Sequence, residues 1–175
     1  VPDQLTLLVT GGSLGARSIN QTIEASRPVL AAAGIQVLHI VGGASDLDEV
    51  SEGQYRRVRY VDQMDLAIAA SDFAVSRAGA STVSEFSAIG LPALYIPYPV
   101  GNGEQKYNLQ DVMAAGGALT VTDEQFSPEY VRSSLIPLLS DSKRLQEMSD
   151  NSKQAGVLDG TERFIALIDE VLSRR

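Results

Sequence analysis

Leu5-Thr6-Leu7-Leu8-Val9-Thr10, followed by Gly11-Gly12-Ser13-Leu14-Gly15-Ala16-Arg17, is the stretch that decides the fold. The first six residues are apolar or β-branched and read as a buried strand. Glycines stop the run. Over 16–33 the apolar residues Ile19, Ile23, Val29 and Leu30 fall at helical spacing, although Pro28 weakens that helix or ends it early. A strand, a glycine turn and a helix in succession open an alternating α/β fold.

The rest of the chain continues the alternation. Further strands are expected at 35–41, 56–61, 72–76, 93–96 and 118–121, with 42–54 a polar loop holding at most one short helix. Helices are expected at 64–70, at 81–89 with Gly90 as its stop, and at 105–115. Another starts at Ser127-Pro128-Glu129, where an N-cap serine precedes a proline at the first helical position. Two more follow near 142–155 and 161–174. This predicts one α/β domain over 1–175: a Rossmann-like parallel sheet of about six strands with helices on both faces.

Composition narrows the function. A chain of 175 residues with 44% hydrophobic content can bury a core unaided. With no cysteine there is no disulfide, thiolate metal site or thiol nucleophile, and one histidine, His39, cannot build a His-rich zinc site. A net charge of −8 without a basic stripe argues against a nucleic-acid partner and against unaided binding to an anionic membrane. An anionic ligand would therefore be held locally, by backbone N–H groups and helix dipoles. No apolar run approaches a membrane span. The chain begins Val1-Pro2-Asp3, which reads as a piece of a longer protein.

Open parallel sheets bind ligands beyond the C-terminal ends of their strands, so the turns there carry the information. Gly11 to Arg17 can bring backbone close to an anion, with Ser13 adding a hydroxyl. It can equally be a tight turn in which Ser13 caps the helix. It is neither the dinucleotide fingerprint nor a P-loop. Ser76-Arg77-Ala78-Gly79-Ala80-Ser81-Thr82-Val83-Ser84-Glu85 opens a second helix. Its Ala80, Ser81 and Thr82 N–H groups suit a diphosphate, and Glu85 can accept from both hydroxyls of a ribose. The competing reading is a capping box, Thr82-x-x-Glu85. Val61, in Tyr60-Val61-Asp62-Gln63-Met64, can pair with a flat base through its backbone, or Asp62 can merely cap the next helix. Pro97 to Asn108 ends in Glu104, Gln105 and Asn108, groups that read sugar hydroxyls or face solvent. His39 is structural or, less ordinarily, catalytic.

In this order, Gly-Gly-Ser-x-Gly-Ala-Arg, Tyr-Val-Asp-x-Met, Ser-Arg-Ala-Gly-Ala-x-Thr-Val-Ser-Glu, Gly-Leu-Pro-Ala-Leu-x-Ile-Pro and Glu-Gln-x-x-Asn resemble the C-terminal domain of the MurG family. Those bacterial transferases carry N-acetylglucosamine from UDP-N-acetylglucosamine to lipid I, making lipid II for the peptidoglycan wall on which cell shape and division depend. The resemblance covers nearly the whole chain. It implies one half of a GT-B glycosyltransferase, the half that binds the donor. Ser13 would contact the diphosphate and Val61 the uracil. Ala80, Ser81 and Thr82 would hold the phosphates, with Val83 and Ser84 in the same turn. Glu85 would hold the ribose, and Gln105, Asn108 and Glu104 would read the sugar. Some relatives differ at Gly103 and Glu104.

The resemblance places the catalytic base, the acceptor site and the surface facing the cytoplasmic side of the membrane in an N-terminal domain outside this chain. It implies an inverting reaction without metal or cofactor. Three other readings share parts of the pattern. One is the donor subunit of a split lipid-linked N-acetylglucosamine transferase, and another is a different GT-B enzyme of UDP-sugars. The non-enzymatic one is a flavodoxin-like or receiver module, which would need acidic residues where Gly11 and Gly12 stand.

Overall fold

β1 (Thr6–Thr10) lies at the centre of a sheet of seven strands among the described residues. The computed structural model describes residues 4–100 and 103–174. Beside β1 run β2 (Gln36–Ile40) on one side and β5 (Phe73–Ser76) on the other, both parallel to it, with Leu7 opposite Val37 and Phe73. Beyond β2 lies β4 (Tyr55–Val58), also parallel, and beyond it β3 (Val50–Glu52), antiparallel. Beyond β5 come β6 (Ala93–Tyr95) and β7 (Ala118–Thr120), both parallel. The chain thus builds outward from β1 in one direction, returns, and builds in the other from β5. The crevice between β1 and β5 is where the winding reverses.

Alternate residues of each strand feed two cores. Leu7, Val9, Phe73, Val75, Leu94 and Ile96 face one side. There they meet Ile19, Ile23 and Leu30 of α1 (Arg17–Ala32), with Val131, Leu135 and Met148 from the C-terminal helices. Leu8, Ala74, Ala93 and Tyr95 face the other side. They pack on Ala67 and Ile68 of α2 (Met64–Ala69) and on Val83 and Phe86 of α3 (Ala80–Ile89). That period of two is what a strand buried on both faces requires.

The remaining helices are α4 (Glu104–Tyr107), α5 (Gln110–Ala115), α6 (Pro128–Tyr130), α7 (Ile136–Leu139), α8 (Ser142–Ala155) and α9 (Gly160–Ser173). A π-helical stretch, Val131–Leu135, joins α6 to α7. Ser127 caps α6 as expected, its Oγ accepting from the Tyr130 N–H at 3.2 Å. Gly90 closes α3 in the left-handed region, φ 83°.

Four expectations need correction. The sheet has a seventh strand, because the polar stretch 42–54 contains β3, which turns into β4 through Gly53 at φ 56°. α1 continues through Pro28 to Ala32. The buried face of Ile19, Ile23 and Leu30 offsets the one missing hydrogen bond, which costs roughly 3 kcal/mol. The strand expected at 56–61 ends at Val58, which leaves Tyr60 and Val61 in the following loop. The helix expected at 105–115 is two short ones, divided at Asn108-Leu109.

Candidate functional site

Two helix N-termini stand side by side above the crevice. β1 runs through Gly11–Gly15 into α1, and β5 runs through Arg77–Gly79 into α3. The first turn is locked by close backbone contact. Gly15 N–H donates to Gly12 C=O at 3.0 Å and Gly43 N–H to Ser13 C=O at 2.8 Å, so the turns after β1 and β2 interlock. An added Cβ at Gly15 would stand 1.9 Å from the Val41 carbonyl oxygen, so only glycine fits. Ser13 is exposed and does not cap α1, whose N-cap is Ala16. Its hydroxyl and N–H bond to no described residue.

The second turn does not form the capping box that Thr82 and Glu85 spell. α3 begins at Ala80 with Gly79 as N-cap, three residues earlier than a capping box at Thr82 needs, and no side chain caps it. Val83 N–H donates to Gly79 C=O at 3.0 Å, while the N–H groups of Ala80, Ser81 and Thr82 are unbonded among the described residues. Glu85 is exposed, and its carboxylate makes no ion pair or hydrogen bond with a described residue. It shares a helix face with Ser81, four residues before it. Ala80 and Ser84 are also exposed and share the neighbouring face. Val83 departs from expectation. Its side chain is buried in the core and its N–H is bonded, so it has no group to offer a ligand.

The amides expected to face a ligand do something else first. Gln105 Oε1 accepts from Ala78 N–H at 3.1 Å and from Tyr98 N–H at 2.9 Å. Asn108 Nδ2 donates to Ala78 C=O at 2.9 Å. Both backbone groups of Ala78, at the mouth of α3, are therefore held by side chains from α4 and its end. What remains for a ligand is complementary: Gln105 Nε2 as donor and Asn108 Oδ1 as acceptor. Gly101 and Asn102 of this loop lie outside the described residues. Val61 stands in the loop between β4 and α2, its N–H and C=O bonded to no described residue. The neighbouring Asp62 does not cap α2, whose N-cap is Gln63.

Sequence reasoning passed over a group beneath the second turn. Arg77 Nη1 lies 2.7 Å from Asp123 Oδ2 and 3.1 Å from Ile96 C=O, and Nη2 donates to Ser18 Oγ at 3.0 Å. The Ser18 hydroxyl in turn donates to Asp123 Oδ1. Burial pushes the Asp123 carboxyl up, but the bonds from Arg77 and Ser18 and the Arg77 charge prevail, and its pKa is lowered. The available signal was the position of Asp123, just past β7 at the ligand-binding end of the sheet.

His39 is structural. It is wholly buried, with Nδ1 2.6 Å from Tyr55 Oη and Nε2 3.0 Å from Asn20 Oδ1. Asn20 Nδ2 donates to Val41 C=O at 3.0 Å, the carbonyl that Gly15 lies against. Burial, with help from the Arg57 charge and against the pull of Glu24, takes the imidazole down to about 4. Tyr55 Oη also bonds Glu24, which pairs with Arg57 at 2.6 Å. The chain of polar groups thus buttresses the floor of the Ser13 turn.

Residues 6–164 match the family model of the glycosyltransferase family 28 C-terminal domain. The chain is 53% identical over 171 residues to the UDP-N-acetylglucosamine–N-acetylmuramyl-(pentapeptide) pyrophosphoryl-undecaprenol N-acetylglucosamine transferase of Leifsonia xyli subsp. xyli. That alignment takes in 98% of this chain and 48% of the relative. It is 46% identical to the enzyme of the same name from Streptomyces collinus, covering 99% of this chain and 49% of that one. The chain therefore spans about half the length of the curated relatives it matches. Among solved structures it resembles Acinetobacter baumannii MurG, with TM-score 0.83 at 23% identity over 97% of this chain and 51% of that one. It also resembles the calicheamicin glycosyltransferase CalG4, with TM-score 0.73 at 20% identity over 99% and 45%. At those identities the likeness is one of fold.

Proposed function

The chain belongs to the glycosyltransferase family 28 C-terminal domains, and from that premise we propose that it is the donor-binding half of an N-acetylglucosaminyltransferase acting on lipid I. The observation that carries the reading is α3. Three unbonded N–H groups at its N-terminus, beside the reversal point of the sheet, suit a diphosphate. Glu85, five residues on and about 7.5 Å along the axis, presents a free carboxylate to a ribose. Ser13 faces the phosphates from the adjoining turn, and the free backbone of Val61 takes the uracil edge. Gln105 Nε2 and Asn108 Oδ1 read the hydroxyls of the N-acetylglucosamine.

In the reaction an acceptor hydroxyl of lipid I forms the new bond to the anomeric carbon. The bond from that carbon to the diphosphate breaks, and UDP leaves. The hydroxyl proton passes to a base outside this chain. Dipoles and N–H groups at α3 stabilise the negative charge of the departing diphosphate. The acceptor, the base and attachment to the cytoplasmic face of the membrane belong to the other half of the enzyme. Two features support that division. The relatives are twice as long. α9 also turns Phe164, Ile165, Leu167, Ile168, Val171 and Leu172 outward with no residue buried, an apolar face for another domain to cover. Among the described residues no helix is long and apolar enough to cross a membrane.

Titration calorimetry of the chain with UDP tests the reading. Glu85→Ala should weaken UDP about tenfold, as expected for a lost hydrogen bond to a charged group, and weaken 2′-deoxy-UDP distinctly less. Equal losses for the two nucleotides would remove Glu85 from the ribose site. An absence of UDP binding at millimolar ligand would remove the donor role.

A further inference from the structure

Resting on that donor-binding reading, we propose that Asp123, together with Ser18, is a positioning residue of the donor site. It aims the Arg77 guanidinium so that the turn before α3 and the loop after β6 are held in one arrangement.

Arg77, Asp123 and Ser18 form a closed ring of hydrogen bonds. Arg77 Nη1 donates to Asp123 Oδ2 and Nη2 to Ser18 Oγ, and the Ser18 hydroxyl donates its single proton to Asp123 Oδ1. With both carboxylate oxygens and the serine oxygen engaged, the ring fixes the plane of the guanidinium. In that plane Nη1 reaches Ile96 C=O at 3.1 Å and Pro97 C=O at 3.4 Å. The Arg77 side chain is 12% exposed and that of Asp123 20%, so the pair is shielded from the solvent that weakens surface ion pairs.

Four elements meet at Arg77 and its ring. Arg77 follows β5, Ile96 follows β6, Asp123 follows β7, and Ser18 lies in the first turn of α1. Position alone would make Arg77 a phosphate ligand, since it stands three residues before the helix N-terminus. The geometry points elsewhere: its charge is matched by Asp123, and both Nη1 and Nη2 donate to protein acceptors. Its effect on a ligand runs through the backbone. Gln105 ties Ala78 N–H to Tyr98 N–H, and Arg77 ties the residue before Ala78 to Ile96 and Pro97, just before Tyr98. The two segments are thus cross-linked twice, and Asp123 secures one of the links. Both segments serve the phosphate and sugar end of the donor, whereas Val61 and Glu85 serve the nucleoside end.

The test compares UDP-N-acetylglucosamine with uridine monophosphate, titrated into the chain and into Asp123→Asn, Ser18→Ala and the double variant. Asp123→Asn keeps the size but puts an NH2 where one of two donors must be accepted. It should weaken UDP-N-acetylglucosamine by about tenfold or more while uridine monophosphate stays within about twofold. The double variant should lose no more than the worse single one, since both break the same ring. If Asp123→Asn does not fold, Ser18→Ala, which removes only a hydroxyl, carries the same comparison. Parallel weakening of both ligands, or a lowered melting temperature with neither affinity changed, would reduce the ring to a stability element and overturn the inference. A parent chain that binds no UDP-N-acetylglucosamine overturns the donor reading with it. A parent that binds while the variants bind equally well overturns the inference alone.

Discussion

Replacing Gly15 by alanine should cost far more than the same change at Gly12, three residues away. Both glycines are in the left-handed region, at φ +86° and +85°. Each alanine therefore incurs a backbone penalty of about 1 kcal/mol. At Gly12 that is all, since an added Cβ meets nothing within 4 Å. At Gly15 the Cβ would stand 1.9 Å from Val41 O, where ordinary contact begins at 3.4 Å, so the two turns must part by about 1.5 Å (3.4 − 1.9). That displacement strains the Ser13–Gly43 and Asn20–Val41 hydrogen bonds, 2.8 and 3.0 Å long. Each is worth about 1 kcal/mol, and forced overpacking adds about 1–3. The expected loss is about 3–5 kcal/mol for Gly15→Ala against about 1 for Gly12→Ala. Urea denaturation at unchanged slope reads the difference directly. Losses equal within about 0.5 kcal/mol would refute the claim that interlocked turns set the geometry here.

Other consequences are independent of that contact. His39, the chain's one histidine, gives an unambiguous imidazole signal by NMR. It should stay neutral from pH 8 to about pH 5 and titrate near 4. Because its folded pKa lies below 6.5, its share of the stability is complete above that pH and is lost as pH falls toward 4. A midpoint near 6.5 would contradict its burial among Tyr55, Asn20 and Arg57. On α9, Phe164→Asp and Leu167→Asp should leave the unfolding free energy within about 0.5 kcal/mol, since neither side chain is buried. A loss above about 1 kcal/mol would mean that α9 packs on this domain rather than awaiting another.

Signals confined to a few neighbouring residues were legible in the sequence. Strand β1 and its glycine stop, Gly90 closing α3, and Ser127-Pro128 starting α6 all follow from local sterics and capping. Features fixed by distant partners were not. β3 has neither apolar alternation nor β-rich composition, and it exists because β4 pairs with it; Gly53 was its one local mark. Pro28 argues locally against a helix that tertiary burial sustains. Thr82-x-x-Glu85 spells a cap that an earlier helix start leaves unmade. At the candidate site the residue types were readable, and the atoms each has free were not. Gln105 and Asn108 each spend one end of the amide on Ala78, and the partners that bind Arg77 are 59 residues before it and 46 after it.

The two outermost strands carry one further consequence. A parallel sheet ends in rows of unsatisfied backbone groups, and a stray strand can lengthen it there into an aggregate. Here both borders are three residues long, Val50–Glu52 and Ala118–Thr120. The first runs opposite to its neighbour and ends in Glu52, bound to Arg27 at 2.5 Å. Borders so short, the first of them also reversed and charged, give an incoming strand little to pair with. The domain can therefore bear the apolar face of α9 without also offering a sheet that grows.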